Sequence, residues 1–313
     1  MLDLSDSFQT FVYLYARNIR QAMETYLIND VERLTGIKAH TLRIWEKRYL
    51  TLIPHRTPTK IRYYDDDQVR QLLNISSLLN SNFKIGYLMQ LDDAQINHLI
   101  EELKSKDVSD KTSSVYINDL TGAMITFNEI EFDRLCNSII TRYGIYDAVV
   151  KIFYPFMENT GLLWSTDRLM PAQEHFASQI LKRKLHAAID HIPYPKENSK
   201  KFLLFLLPDK WHEIGLLFSN YIIRSEGSST LYLGPSLPYK NLVTTISKTK
   251  PHFLLTFLFP IAGITDDFNK LVELAQMFPE IKFIICTSLS FNIPEAVNNI
   301  IVLNKPEELF AYL

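Results

Sequence analysis

The sequence predicts a multi-domain α and α/β chain. It has an N-terminal winged helix-turn-helix, a middle four-helix bundle and a C-terminal flavodoxin-like (Rossmann-like) parallel sheet of five strands. Three observations carry this. Residues 31–64 pair two short helical patterns with a basic hairpin. Residues 115–190 hold consecutive helical stretches with apolar residues at 3/4 spacing. From residue 201 onward, short, wholly apolar strands alternate with helices, the pattern of a parallel sheet covered on both faces. A length of 313 residues suits about two domains or three small ones.

Taken in order, residues 1–22 show no cap and mixed polarity, and read as a dispensable extension, with Met23 as the functional start. The first domain then spans 23–103. Asn29 or Asp30 can cap a short helix, Val31–Leu34, closed by Gly36. Thr41 can cap a second, Leu42–Tyr49, after a turn of helix-turn-helix length. Residues 51–64 read as a wing, and Asp65-Asp66-Asp67 opens a helix to residue 80 with acids at its positive end. The polar stretch around 104–114 reads as a linker. A helical-bundle cap follows at 115–191, with helices near 115–127, 128–142, 144–163 and 169–190. Pro193 and Pro195 mark a second linker. The last domain, 201–313, has strands near 202–207, 230–233, 253–258, 283–286 and 300–303, and helices near 212–225, 238–248, 266–277 and 294–299. That order suits a flavodoxin-like sheet, whose ligands bind at the strands' carboxyl ends.

Composition narrows the function. Hydrophobic residues are 47% and charged residues 22%, ordinary for a soluble globular protein. The two cysteines, Cys136 and Cys286, make neither a disulfide framework nor a zinc site, which fits a reducing cytoplasm. No apolar run approaches the ~20 residues of a membrane span, and the N-terminus, with Asp3 and Asp6, lacks the basic start of a signal peptide. The net charge of −2 hides an asymmetry. Residues 31–64 carry eight Lys/Arg against Glu32 and Glu46, a net +6, which leaves −8 on the rest. Such a block either meets a polyanion or is a solvated basic face.

The helix-turn-helix decides between these. Its second helix would lie in the major groove with His40, Thr41 and Arg43 toward the bases. Arg43 can contact guanine bidentately or hold a phosphate. Arg56, Lys60 and Arg62 on the wing would neutralise phosphates. Trp45 and Tyr49, four apart on one face, read as core.

The run Tyr26-Leu27-Ile28, Leu34-Thr35-Gly36-Ile37-Lys38, Thr41-Leu42-Arg43-Ile44-Trp45-Glu46-Lys47-Arg48-Tyr49, then Pro54, Arg56-Thr57 and Arg62-Tyr63-Tyr64, resembles the winged helix-turn-helix of MerR-type transcription regulators. The resemblance implies a double-stranded DNA operator contacted by Lys38, His40, Thr41, Arg43, Lys47, Arg48, Arg56, Lys60, Arg62 and Tyr64. Lys60 stands where the family's wing usually turns on a glycine, which implies a different turn with one more charge near phosphate.

Further on, His212-Glu213-Ile214-Gly215, Leu231-Tyr232-Leu233-Gly234-Pro235 and Thr256-Phe257-Leu258 resemble the cobalamin-binding Rossmann-like domain. Trp164 followed after nine residues by Glu174-His175 looks like the bundle cap of CarH/LitR-type regulators. The resemblance implies adenosylcobalamin or methylcobalamin, with His212 on cobalt, Gly215, Thr256 and Leu258 around the cofactor, and Trp164, Glu174 and His175 over its upper face. It implies a cytoplasmic homo-oligomer, dimer or tetramer, with no membrane partner. Three departures stand out. Lys210 replaces the carboxylate two residues before the ligand histidine, where Asp209 or Glu213 would have to substitute. Thr287-Ser288 replace a glycine pair. Ser165 follows Trp164 where light-sensing members have a histidine, so switching through a second protein histidine is not expected. The whole reads as a DNA-binding regulator, not an enzyme, with no catalytic residues. The alternative is a MerR-type regulator whose effector half binds no cobalamin and serves oligomerisation or a protein partner.

Overall fold

The computed structural model describes residues 25–49, 52–106, 110–164, 170–259 and 263–313. The proposed extension 1–22, and Ser165, lie outside them. The chain divides into two compact units, 1–177 and 178–313.

The first unit opens with β1 (Tyr26–Leu27), α1 (Ile28–Thr35) and α2 (Ala39–Arg48). Both helices start earlier than their sequence caps suggest. Asp30 lies inside α1 and accepts the Leu27 N–H at 2.7 Å, while Thr41 lies inside α2. The Glu32 carboxylate accepts the Ala39 N–H at 2.8 Å and so caps α2 from α1. Gly36, at φ 71°, closes α1. The wing, β2 (His55–Arg56) and β3 (Arg62–Tyr64), forms an antiparallel sheet in the order β1-β3-β2. Its turn places Lys60 at φ 64°, with the Lys60 N–H on the Thr57 carbonyl. The turn is thus the left-handed one that glycine favours, adopted here by lysine, and not a different one.

Next comes α3 (Asp66–Asn80), capped reciprocally by Asp65 and Gln68. After α4 (Ile85–Leu88), α5 (Asp93–Lys106) and α6 (Asp110–Ile125) occupy most of the stretch expected to be linker. Ile96 and Ile100 give α5 an apolar stripe one turn apart, too narrow to stand out among its polar residues. α6 lies along α3. Asn118 donates to the Leu73 carbonyl at 3.2 Å and to Ser77 Oγ at 2.8 Å. α7 (Glu129–Ala148) is interrupted at Gly144 (φ 74°) and runs through a π-helical turn, Val149–Phe153, into α8 (Tyr154–Trp164). α9 (Pro171–Asp190) completes the bundle, where Phe132 packs against Phe156 and Phe176 with ring centroids 5.8 and 5.7 Å apart.

The second unit is a five-stranded, wholly parallel sheet in the order β5-β4-β6-β7-β8. Its strands are β4 (Lys201–Phe205), β5 (Ser229–Gly234), β6 (Phe253–Phe257), β7 (Lys282–Cys286) and β8 (Ile300–Leu303). The helices α10 (Ile214–Ser225), α11 (Tyr239–Thr249) and α12 (Ile264–Met277) connect them. This is the expected flavodoxin-like order. The helix expected at 294–299 is absent. Asn299 there is buried and donates to the carbonyls of Ala275, Phe278 and Ile281, so this one side chain clamps the end of α12. Among the described residues no helix is long and apolar enough to cross a membrane.

Candidate functional site

The first site is built on α2. Ala39, Leu42 and Trp45 face the core, and the opposite face exposes His40, Arg43, Ile44, Lys47 and Arg48. Arg43 and Lys47 have no ion-pair partner among the described residues. Lys38 is exposed and pairs with Glu32 at 3.2 Å. Thr41 is half-buried, 3.4 Å from His40 Nε2.

The wing arginines are differently placed. Glu46, on α2 but turned toward the wing, accepts from Arg62 Nε at 2.6 Å and from Arg56 Nη2. Burial works against the Glu46 charge, but the two guanidiniums prevail and hold its carboxyl below the usual carboxylate range. Arg56 and Arg62 therefore fasten the wing to the recognition helix. Lys60, exposed at the wing tip, is the wing cation without a protein partner among the described residues. Tyr64 corrects the sequence reading. It is 2% exposed and paired with Tyr26 across β1 and β3, so it packs the core and cannot reach DNA.

The second site lies at the carboxyl end of the parallel sheet. His212 ends the loop between β4 and α10 and is exposed, its ring edge-on to Phe259 at 5.6 Å. No hydrogen bond holds it among the described residues. Neither candidate carboxylate serves it. Glu213 binds Lys182 at 3.2 Å and Tyr232 Oη at 3.0 Å. Asp209 holds a left-handed turn (φ 61°), its N–H on Ser236 Oγ. Lys210 is buried and pairs with Asp267 of α12 at 2.9 Å, fixing the loop to that helix. Gly215 begins α10, and a Cβ there would lie 2.8 Å from the Phe257 ring. Phe257 therefore fills the room the glycine leaves, and it stacks on Phe259. Thr256 is 2% exposed, and its hydroxyl has no hydrogen-bond partner among the described residues. Leu258 is buried in the core. Thr287 is buried, its Oγ1 accepting the Leu289 N–H, and Ser288 is exposed.

On the bundle, Glu174 and His175 are neighbours on α9, with Oε2 and Nδ1 3.1 Å apart, Glu174 mostly covered and His175 outward. Trp164 is the last residue of α8.

Residues 26–95 match the family model of the MerR HTH regulatory proteins, and residues 116–189 match that of the B12 binding domain. The chain carries a MerR-type helix-turn-helix domain followed by a B12-binding domain. Two curated relatives, both from Myxococcus xanthus, span most of it. The HTH-type transcriptional repressor CarH is 24% identical over 82% of this chain and 87% of its own length. The HTH-type transcriptional repressor CarA is 22% identical over 80% and 81%. Among solved structures, the monomethylamine corrinoid protein of Methanosarcina barkeri aligns at TM-score 0.46 and 16% identity, covering 62% of this chain and 94% of that one. The MerR-type domain thus contains the α2 stripe and the wing, and the B12-binding domain contains α6 to α9. Sequence reasoning missed Glu46 and Phe257 as site residues. Glu46 was visible as one of only two acids in a basic block. Phe257 stood within the Thr256-Phe257-Leu258 run, but nothing in the sequence says that its ring would meet Gly215.

Proposed function

We propose that this chain is a sequence-specific DNA-binding regulator whose hold on DNA is set by a corrinoid bound through His212. The carrying observation is the exposed stripe His40, Arg43 and Lys47 on a recognition helix whose Glu46 already engages two of the three wing cations, Arg56 and Arg62. With Arg56 and Arg62 engaged, the cations left for DNA are those of the stripe, Arg48 and Lys60. Arg43 reads a base edge, and Lys47, Arg48 and Lys60 hold phosphates.

The residues of the sheet fit a corrinoid in two respects. The exposed His212 imidazole, without a hydrogen bond among the described residues, is available as a ligand, and the buried Thr256 hydroxyl lacks a partner that a ligand's polar atom would supply. When bound, the group would supply a cobalt centre that the His212 imidazole would hold. Phe257 must turn aside to open the room beside Gly215. Coupling to DNA would pass through α6, the first helix of the B12-binding domain, which is hydrogen-bonded to α3 of the MerR-type domain. A ligand that repositions α6 changes the support of the DNA-reading head.

A second reading is favoured by Phe257 and by the buried Thr287, which both occupy space at the carboxyl end of the sheet. In it the effector half takes no corrinoid and serves assembly or a partner. Anaerobic titration with adenosylcobalamin and methylcobalamin, followed by absorption, separates the two. The first reading expects retained cobalamin with an imidazole-ligated spectrum that His212→Ala abolishes. Wild-type protein that retains none would establish the second.

A further inference from the structure

We infer that Ile44 is a specificity-determining residue that reads the C5-methyl group of a thymine in the operator. The inference rests on the DNA-binding reading above and names what that site reads.

Three observations carry it. On α2, residues 40, 43, 44 and 47 share one face, opposite the buried Ala39, Leu42 and Trp45. Ile44 is the one large apolar side chain on that face and is 54% exposed. Neither the core nor the wing uses it. A lone exposed isoleucine is ordinary on a general surface. Here it neighbours His40, one turn before it, and Lys47, one turn after it, on the exposed face, where a solvated polar residue would cost nothing.

The second observation is rigidity. Glu46, two residues on, holds both wing arginines, and Glu32 caps the start of α2 through the Ala39 N–H. The reading face is therefore fixed at both ends. A branched side chain with few rotamers adds little freedom to lose.

The third is chemistry. In the major groove thymine alone of the four bases offers a methyl group, beside its O4 acceptor. Ile44 has no donor or acceptor and cannot discriminate by hydrogen bonds. Burying its terminal carbons against a methyl removes apolar area from water, whereas cytosine or a purine at that place leaves the side chain against polar edges. Arg43 beside it reads hydrogen-bonding edges, so the two adjacent residues divide the readout between polar and apolar features.

The test uses the full chain. A DNA site is first selected from a random duplex pool, and each thymine in it is then replaced singly by uracil, which removes the methyl and nothing else. Wild type is expected to lose about fourfold in affinity at one thymine per half-site and to be nearly indifferent elsewhere, the size expected for one buried methyl. Ile44→Ala should bind that site more weakly and show no further loss on uracil replacement there. Thermal unfolding of Ile44→Ala should match wild type, because the residue is exposed. Indifference of wild type to uracil at every position, or an unchanged uracil penalty in Ile44→Ala, would overturn the inference while leaving DNA binding intact. A wild type that enriches no sequence would instead overturn the DNA-reading function itself.

Discussion

Lys60 holds a left-handed turn in which a Cβ is unfavourable by about 1–2 kcal/mol. Its retention there makes sense if its charge does work that glycine could not. Lys60→Gly should leave stability equal or raise it by up to about 1 kcal/mol, the gain tempered by glycine's freer unfolded chain. It should also flatten the log–log salt dependence of DNA binding by about 0.9 per protomer. An unchanged slope would remove Lys60 from the phosphate contacts. Glu46 behaves differently. Its carboxyl is held below the usual range in the fold, so its stabilising effect is present above the ordinary carboxylate pKa and lost as pH falls below about 4. Glu46→Ala should cost about 2 kcal/mol by releasing two arginines and should weaken the acid dependence of thermal unfolding; an identical acid limb would show that the pair contributes nothing. The sequence made the basic block legible but not this division of labour, because Glu46 meets arginines ten and sixteen residues away only once the wing has folded back. Phe257 is a similar case. Replacing it with alanine should clear the space beside Gly215, and corrinoid retention measured by absorption should rise several-fold. Weaker retention would mean that the ring supports the ligand instead of blocking it.

The elements that sequence periodicity captured are those with wide apolar faces, such as α3, α7 and the strands of the parallel sheet. Those it missed are polar helices with narrow seams. α5 buries little beyond Ile96 and Ile100, and beside them it presents Lys104 to Asp119 on α6. Both charges are largely buried, and burial outweighs Lys104 to push the Asp119 carboxyl up from its ordinary range. Asp119→Ala would leave the buried Lys104 with Glu101, a mostly exposed partner 2.8 Å away, which predicts a loss of up to about 3 kcal/mol in urea unfolding of the first unit. The double change Lys104→Met with Asp119→Leu should recover most of it. Equal losses in the single and double variants would place the cost in packing and not in charge. The segment 294–299 failed in the opposite sense. Its six residues have helix-like spacing, yet Asn299 gains more from three carbonyls than one helical turn could return.

At the scale of the molecule, a MerR-type head, a B12-binding bundle and a flavodoxin-like sheet follow one another along the chain, and their order was the most legible feature of all. The α3–α6 contacts through which we propose that the coupling passes were not legible, since they carry no motif. A regulator of this design needs the ligand to bind the DNA-competent and DNA-incompetent states with different affinity, typically by 5- to 150-fold. The direct measurement is fluorescence anisotropy of a selected DNA duplex titrated with the full chain at fixed salt, with and without cobalamin, for wild type and His212→Ala. Wild type should change its DNA affinity at least fivefold on loading, and His212→Ala should not respond. Equal affinity of loaded and unloaded wild type, with cobalamin demonstrably retained, would contradict the account.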